Sequence, residues 1–309
     1  MKGCFRQVPR VRGPVFLKST HSYITKSLAF GLIFSSISMS LSPPISASAG
    51  GARRSLAKHS MTTTIFRDDF DGTRLSNAWK EVVGANSNPV DGERECYSAN
   101  NVFVRRGSLN ELTLAGMVPG CTCPHGSGTL CAYVSGAVEW RSFSFTYGTI
   151  EVRARLAGGI GTWPAIWLLG TECRSPQWIS STCDWPAPGS NEIDIAEVVP
   201  SVPISDRYSI NEQIHTINLG GARVDPSCHA IANTTNWHTY TLIWSPGSLI
   251  WKIDGITSCR VTEYVPSTPM FLIINTAVGR HGATVIKQSL PQSTQVSSVI
   301  VTEPLRGSK

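Results

Sequence analysis

What the chain lacks narrows it first. It has no amphipathic stretch of a dozen residues with apolar positions every three or four, so nothing in it reads as a packed helix. No obvious repeat runs through it, which excludes a solenoid or array. It has no unbroken apolar segment of about twenty residues, the length a bilayer-spanning helix needs; the run from Leu28 to Leu41 is shorter and carries several serines. Charge is sparse, at 16% of 309 residues, and the formal excess of +6 sits at one end. Residues 1–49 hold Lys2, Arg6, Arg10, Arg12, Lys18 and Lys26 and not one acid; beyond them basic and acidic residues number twenty-one each. A neutral body offers no electrostatic footprint for nucleic acid.

The basic end has the layout of an export leader. Its charges stop at Lys26, the apolar run follows, and Ala47-Ser48-Ala49 supplies small residues where a leader is cut. The expected organisation is a signal peptide over 1–49, a flexible lead-in over 50–63 and one domain over 64–304, secreted and without stable membrane insertion. An uncleaved anchor is the competing reading of the leader. Cysteine agrees with export: losing Cys4 leaves Cys96, Cys121, Cys123, Cys131, Cys173, Cys183, Cys228 and Cys259, an even number suited to disulfides. Cys173 with Cys183 and Cys228 with Cys259 are near in sequence, but connectivity stays open. Cys121-Thr122-Cys123 with His125 has the spacing of no common zinc site.

The remaining 240 or so residues alternate in the manner of strands. Gly148–Arg155, His238–Trp244, Ile250–Gly255 and Met270–Asn275 are rich in Val, Ile, Thr and aromatics and lie between turn signals. Period-two patterning at this spacing predicts an all-β domain, a sandwich of two antiparallel sheets.

The chemistry concentrates in Glu192-Ile193-Asp194-Ile195-Ala196-Glu197. On a strand Glu192 and Asp194 share one face while Ile193 and Ile195 point into a core. Glu197 joins the acids only if one extra residue is absorbed, as in a β-bulge at Ile195-Ala196. Three acids on one face push carboxyl pKa values apart, and one protonated acid beside one ionised acid is what glycosidic cleavage requires. The bland alternative is an exposed edge strand with solvated acids. Some 25 residues earlier, Trp163 and Trp167 face one side of a strand, suited to stacking on pyranose rings or to filling a core.

In order along the chain, these segments resemble glycoside hydrolase family 16. Phe66-Arg67-Asp68-Asp69-Phe70-Asp71-Gly72 opens the match. Glu95-Cys96-Tyr97-Ser98, Tyr147-Gly148-Thr149-Ile150-Glu151 and Gly161-Thr162-Trp163-Pro164-Ala165-Ile166-Trp167 continue it. The acid strand, Trp237-His238-Thr239-Tyr240, Trp251-Lys252-Ile253-Asp254-Gly255 and Asn275-Thr276-Ala277-Val278-Gly279 complete it. The resemblance implies a concanavalin-like β-jelly roll with a sugar cleft across one sheet and a retaining endo-β-glucanase activity on a polysaccharide substrate. It implies Glu192 as nucleophile, Glu197 as general acid/base and Asp194 as the residue tuning the nucleophile. Asn101, Trp163, Trp167 and His215 match positions that contact substrate or the acids, and Trp185 lies just before the acid strand. The two residues between Asp194 and Glu197 resemble the laminarinase-type branch, which acts on β-1,3-glucans.

The chain departs from the family pattern in three places. Ala137 stands where an arginine is frequent, Gly279-Arg280-His281-Gly282 replaces a Gly-Gly-Trp segment, and Val296-Ser297-Ser298-Val299 lacks the aspartate of the last strand. That aspartate commonly helps hold a structural calcium, so calcium is in doubt and no cofactor is expected to be required. A non-catalytic sugar-binding or cell-wall protein on the same scaffold, a transglycosylase and a galactan hydrolase are the competing functions. A monomer is expected.

Overall fold

The computed structural model describes residues 62–85, 92–123, 130–175, 183–198, 209–280 and 284–304. The expected leader and most of the expected lead-in lie outside them. The first strand starts at Thr62, two residues before the boundary read from sequence, because Thr62-Thr63 pair with Pro304 and Glu303.

Among the described residues eighteen strands form two sheets. The ten-stranded sheet runs Ile256–Val261, Ser248–Ile253, His238–Ser245, Gly148–Arg155, Gln292–Pro304, Leu109–Ala115, Tyr133–Ser135, Glu95–Tyr97, with Thr62–Asp68 on Gln292–Pro304 and Val102–Val104 on Leu109–Ala115. The eight-stranded sheet runs Arg223–Val224, Ser209–Ile217, Glu192–Val198, Thr162–Gly170, Met270–Val278, Ala137–Trp140, Trp79–Glu81, with Ser227–Ile231 on Ser209–Ile217. This is the all-β jelly-roll sandwich. One pairing departs from the antiparallel rule: Glu95–Tyr97 runs parallel to Tyr133–Ser135. Helical structure among the described residues is confined to three-residue 3-10 turns.

The core lies between the sheets. Gly148–Arg155 shows its origin: Ile150, Val152 and Ala154 are buried, while Glu151, Arg153 and Arg155 are exposed, as a pleated strand with one apolar face must arrange them. At one end Phe66, Trp79, Trp140, Phe143 and Phe145 pack at edge-on and tilted angles, the geometry that aromatic quadrupoles favour. Four disulfides join Cys96 to Cys121, Cys123 to Cys131, Cys173 to Cys183 and Cys228 to Cys259. The last two are the sequence-near pairs. Cys121 and Cys123 belong to separate bridges, so that segment is no metal cluster.

Candidate active site

Glu192–Val198 lies between Ser209–Ile217 and Thr162–Gly170 in the eight-stranded sheet. Ile193 and Ile195 are buried in the core. Asp194 sits opposite Gln213 on one neighbour and Trp167 on the other, and the register then shifts, so that Glu197 sits opposite Asn211 and Ala165. The extra residue is absorbed at Ile195-Ala196, where the sequence required it. Because directly opposed residues share a face, the bulge sets Glu192, Asp194 and Glu197 on one face with Trp163, Trp167, Asn211, Gln213 and His215. Trp251, on the other sheet, crosses the core and donates its indole N–H to the Asp194 carbonyl oxygen at 2.8 Å. That bond holds the backbone at the entry to the bulge.

Glu197 is buried and strongly held. Trp163 Nε1–H donates to Oε1 at 2.8 Å; Asn211 and Gln213 donate to Oε2 at 3.0 and 3.4 Å. Asn211 is itself fixed by His229 at 2.8 Å. Arg280 Nη1 stands 3.6 Å from Oε2, and its guanidinium lies 5.0 Å over the Trp163 ring. Burial and then the Asp194 charge raise the Glu197 pKa, while Arg280, Asn211 and Trp163 pull it back. Burial, and next Asp194, raise Glu192 well above the usual carboxylate range, against the pull of His215.

His215 Nε2 faces Asp194 Oδ2 at 3.5 Å and Glu192 Oε1 at 3.8 Å. Its Nδ1 is hydrogen-bonded to Asp225, which Arg223 also grips with N–H···O distances of 2.9 and 3.0 Å. Burial lowers the His215 pKa, but the carboxylates outweigh it and the imidazole is pushed up to about 9. It is therefore a cation at neutral pH, placed against two acids.

The remaining predicted positions divide. Trp163 is half-buried beside Glu197. Trp185 reaches the site, its ring 5.4 Å from His215 and 4.6 Å beneath the Arg223 guanidinium. Its loop is pinned to the sheet because Gly170 touches the Gly189 backbone, where a Cβ would collide, and because Cys173–Cys183 ties it down. Trp167 is buried as a wall of the site, donating to Asn275 Oδ1 at 2.8 Å, while Asn275 donates to the Tyr97 hydroxyl at 2.9 Å. Asn101 is buried and its amide donates to the Leu112 carbonyl at 2.7 Å, which builds it into the frame. Sequence reading missed Asn211, Gln213, Arg223, Asp225, Arg280 and Trp251. Asn211, Gln213 and His215 recur every second residue of SINEQIHTI, a strand pattern that could have flagged the first two. Arg223 and Asp225 carried no comparable signal.

A calcium ion needs several oxygen ligands, carboxylates foremost. At Val296-Ser297-Ser298-Val299 of the last strand Ser297 Oγ instead donates to the Arg153 carbonyl at 3.4 Å, and these four residues offer no carboxylate. These residues do not fit calcium there.

A buried acid poised to lose a proton, beside a second acid facing an imidazolium, can protonate a bridging oxygen while a carboxylate attacks carbon. The pattern of the glycosyl hydrolases family 16 matches residues 95–290. The chain belongs to that family. Relatives of this family-16 chain include glucan endo-1,3-beta-glucosidase A1 of Niallia circulans, 28% identical over 271 residues, which are 77% of this chain and 37% of that protein. Keratan-sulfate endo-1,4-beta-galactosidase of Sphingobacterium multivorum is 35% identical over 186 residues, 57% of this chain and 41% of that protein. The chain thus spans under half the length of these two relatives. The crystal structure of LamAcat from Zobellia galactanivorans superposes with a TM-score of 0.66 at 24% identity, covering 78% of this chain and 98% of that one. That likeness confirms the family-16 fold.

Proposed function

We propose that this chain is a retaining, endo-acting β-glucanase that cleaves β-1,3-linked glucan. The observation that carries the reading is the bulge that turns Glu197 onto the face of Glu192 and Asp194, with Trp163 hydrogen-bonded to Glu197 beside them. A sugar-binding protein has no need of three acids gathered on one face, whereas hydrolysis needs their unequal ionisation.

In the first step Glu192 attacks the anomeric carbon as Glu197 gives its proton to the departing glycosidic oxygen. In the second, ionised Glu197 takes a proton from water, and the resulting hydroxide displaces Glu192 and leaves the anomeric configuration retained. Asp194 tunes the charge of Glu192 beside it, and the pull of the His215 cation favours the ionised Glu192 that attacks. Trp163 and Asn211 aim the Glu197 carboxyl, and Trp163 and Trp185 form the aromatic walls for sugar rings. Two carboxyl groups supply all the proton and bond exchanges, so no cofactor is required. The four disulfides suit a secreted enzyme, for which we infer a monomer; no helix among the described residues is long and apolar enough to cross a membrane.

The 35% identity to a keratan-sulfate galactosidase favours a galactan as the second reading. Purified protein with disulfides intact, offered laminarin, mixed-linkage β-glucan and keratan sulfate, decides between them: internal cleavage of laminarin with the β-anomer formed first is expected. Galactan cleavage alone moves the substrate, and binding without turnover removes the enzyme. Glu192→Ala should lose turnover by several orders of magnitude and recover part of it with azide, as the inverted glycosyl azide.

A further inference from the structure

The three groups around the His215 ring also make a ligand set. A tetrahedral zinc ion, with bonds of about 2.0–2.1 Å, holds its ligand atoms about 3.4 Å apart. His215 Nε2 is 3.5 Å from Asp194 Oδ2 and 3.8 Å from Glu192 Oε1, and one ligand atom of each residue lies within 4.8 Å of the other two. Two further observations point to an ion rather than to a chance cluster. The Asp194 side chain is 4% exposed, and its Oδ2 is buried without a hydrogen-bond partner. The far ring nitrogen of His215 is anchored by Asp225, the outer-shell carboxylate that typically fixes the tautomer of a metal-binding histidine and aims its other nitrogen. No other such group of three occurs among the described residues.

We propose that Glu192, Asp194 and His215 bind a zinc-class divalent cation, and that the ion is a reversible inhibitor competing with polysaccharide. One imidazole with two carboxylates suits zinc, copper or nickel, whereas calcium and magnesium prefer oxygen alone. Coordination needs a neutral imidazole and two carboxylates, so the Nε2 proton and the proton of a protonated Glu192 both leave to solvent. Three protein ligands leave one position for water, and the bound ion withdraws both acids from chemistry. Inhibition rests on the catalytic reading given above; binding does not.

The test uses full-length protein with disulfides intact, stripped by chelator, titrated with ZnCl2 by calorimetry and with CoCl2 by visible absorption. One ion per chain and the intense spectrum of four-coordinate cobalt are expected, with no heat from CaCl2. His215→Gln should weaken zinc at least about a hundredfold, and Asp225→Asn, which keeps all three ligands, by about 10–100-fold. Circular dichroism checks both variants, and Glu192→Gln replaces His215→Gln if that variant unfolds. Zinc affinity unchanged in the ligand variant, or no binding up to millimolar ZnCl2, overturns the site. In laminarin hydrolysis zinc should raise KM at constant kcat, reversibly with EDTA; hydrolysis unaffected at saturating zinc overturns the inhibition. Zinc bound stoichiometrically by a chain that hydrolyses no polysaccharide upholds the metal site and removes the glucanase reading.

Discussion

Glu197 has three hydrogen-bond donors and Arg280 gathered on one carboxyl. Those donors favour its ionised form, so removing one raises its pKa. Trp163→Phe keeps the ring and deletes the indole N–H; the alkaline limb of kcat/KM, set by loss of the Glu197 proton, should then move to higher pH. A limb that stays in place or moves down would show that Glu197 is not the proton donor. A second acid offers a cleaner stability measurement. Glu212 is buried on the opposite face of the same strand as Asn211 and Gln213, accepts from Ser258 Oγ at 2.6 Å, and burial raises it to about 7. Because its folded pKa lies above the ordinary 4.5, the protonated form is the one the fold prefers. Stability is thus fullest below pH 4.5, falls between 4.5 and 7, and carries a constant penalty above that. At about 1.4 kcal/mol for each pH unit between the two values, Glu212→Gln should gain up to about 3 kcal/mol at pH 8 and nothing at pH 4. Equal gains at both pH values in urea unfolding would contradict the assignment.

The acid strand shows which elements could be read from sequence. Alternation of Glu192, Ile193, Asp194 and Ile195 already implied two faces, and Glu197 could join the acids only through an inserted residue, so the bulge was legible from six letters. Its support was not, because Trp251 lies 57 residues further on in the opposite sheet. In sequence Trp251 is one more inward residue of an alternating strand. The parallel pairing of Glu95–Tyr97 with Tyr133–Ser135 was hidden for a related reason: three-residue strands carry too little alternation to announce a direction. Asn101 illustrates the converse, a motif position whose amide is turned into the framework. Trp251→Phe keeps the packing and leaves the Asp194 carbonyl without its donor, a loss of about 1–3 kcal/mol for a buried polar group. If the bond sets the bulge, kcat should fall while KM changes little; loss of stability with kcat intact would reduce Trp251 to a core residue.

Across the whole molecule the disulfides do unequal work. Cys228–Cys259 joins Ser227–Ile231 of one sheet to Ile256–Val261 of the other and closes 31 residues, whereas Cys123–Cys131 closes 8. Chain entropy alone makes the longer closure worth about 3.5 kcal/mol against about 2.5 for the shorter. Replacing both cysteines of the Cys228–Cys259 pair by alanine should therefore lower the melting temperature more than the same change at Cys123 and Cys131. The reverse order in calorimetry would show that strain or local packing, not loop closure, governs the bridges. Cysteine parity was readable from composition, but the pairing of Cys96 with Cys121 needed the fold.

The strand Gln292–Pro304 is the last among the described residues and yet lies inside the ten-stranded sheet. It zips to Gly148–Arg155 along one edge and to Leu109–Ala115 and Thr62–Asp68 along the other. A growing chain on the ribosome therefore carries three strands with unsatisfied edges until nearly the last described residue has been made. Such edges are templates for other chains, and contacts of this sequence separation form slowly. Synthesis, rather than the finished fold, is when this protein is most exposed to aggregation, and a chain stopped before Gln292 would be left with two half-sheets and no seam to join them.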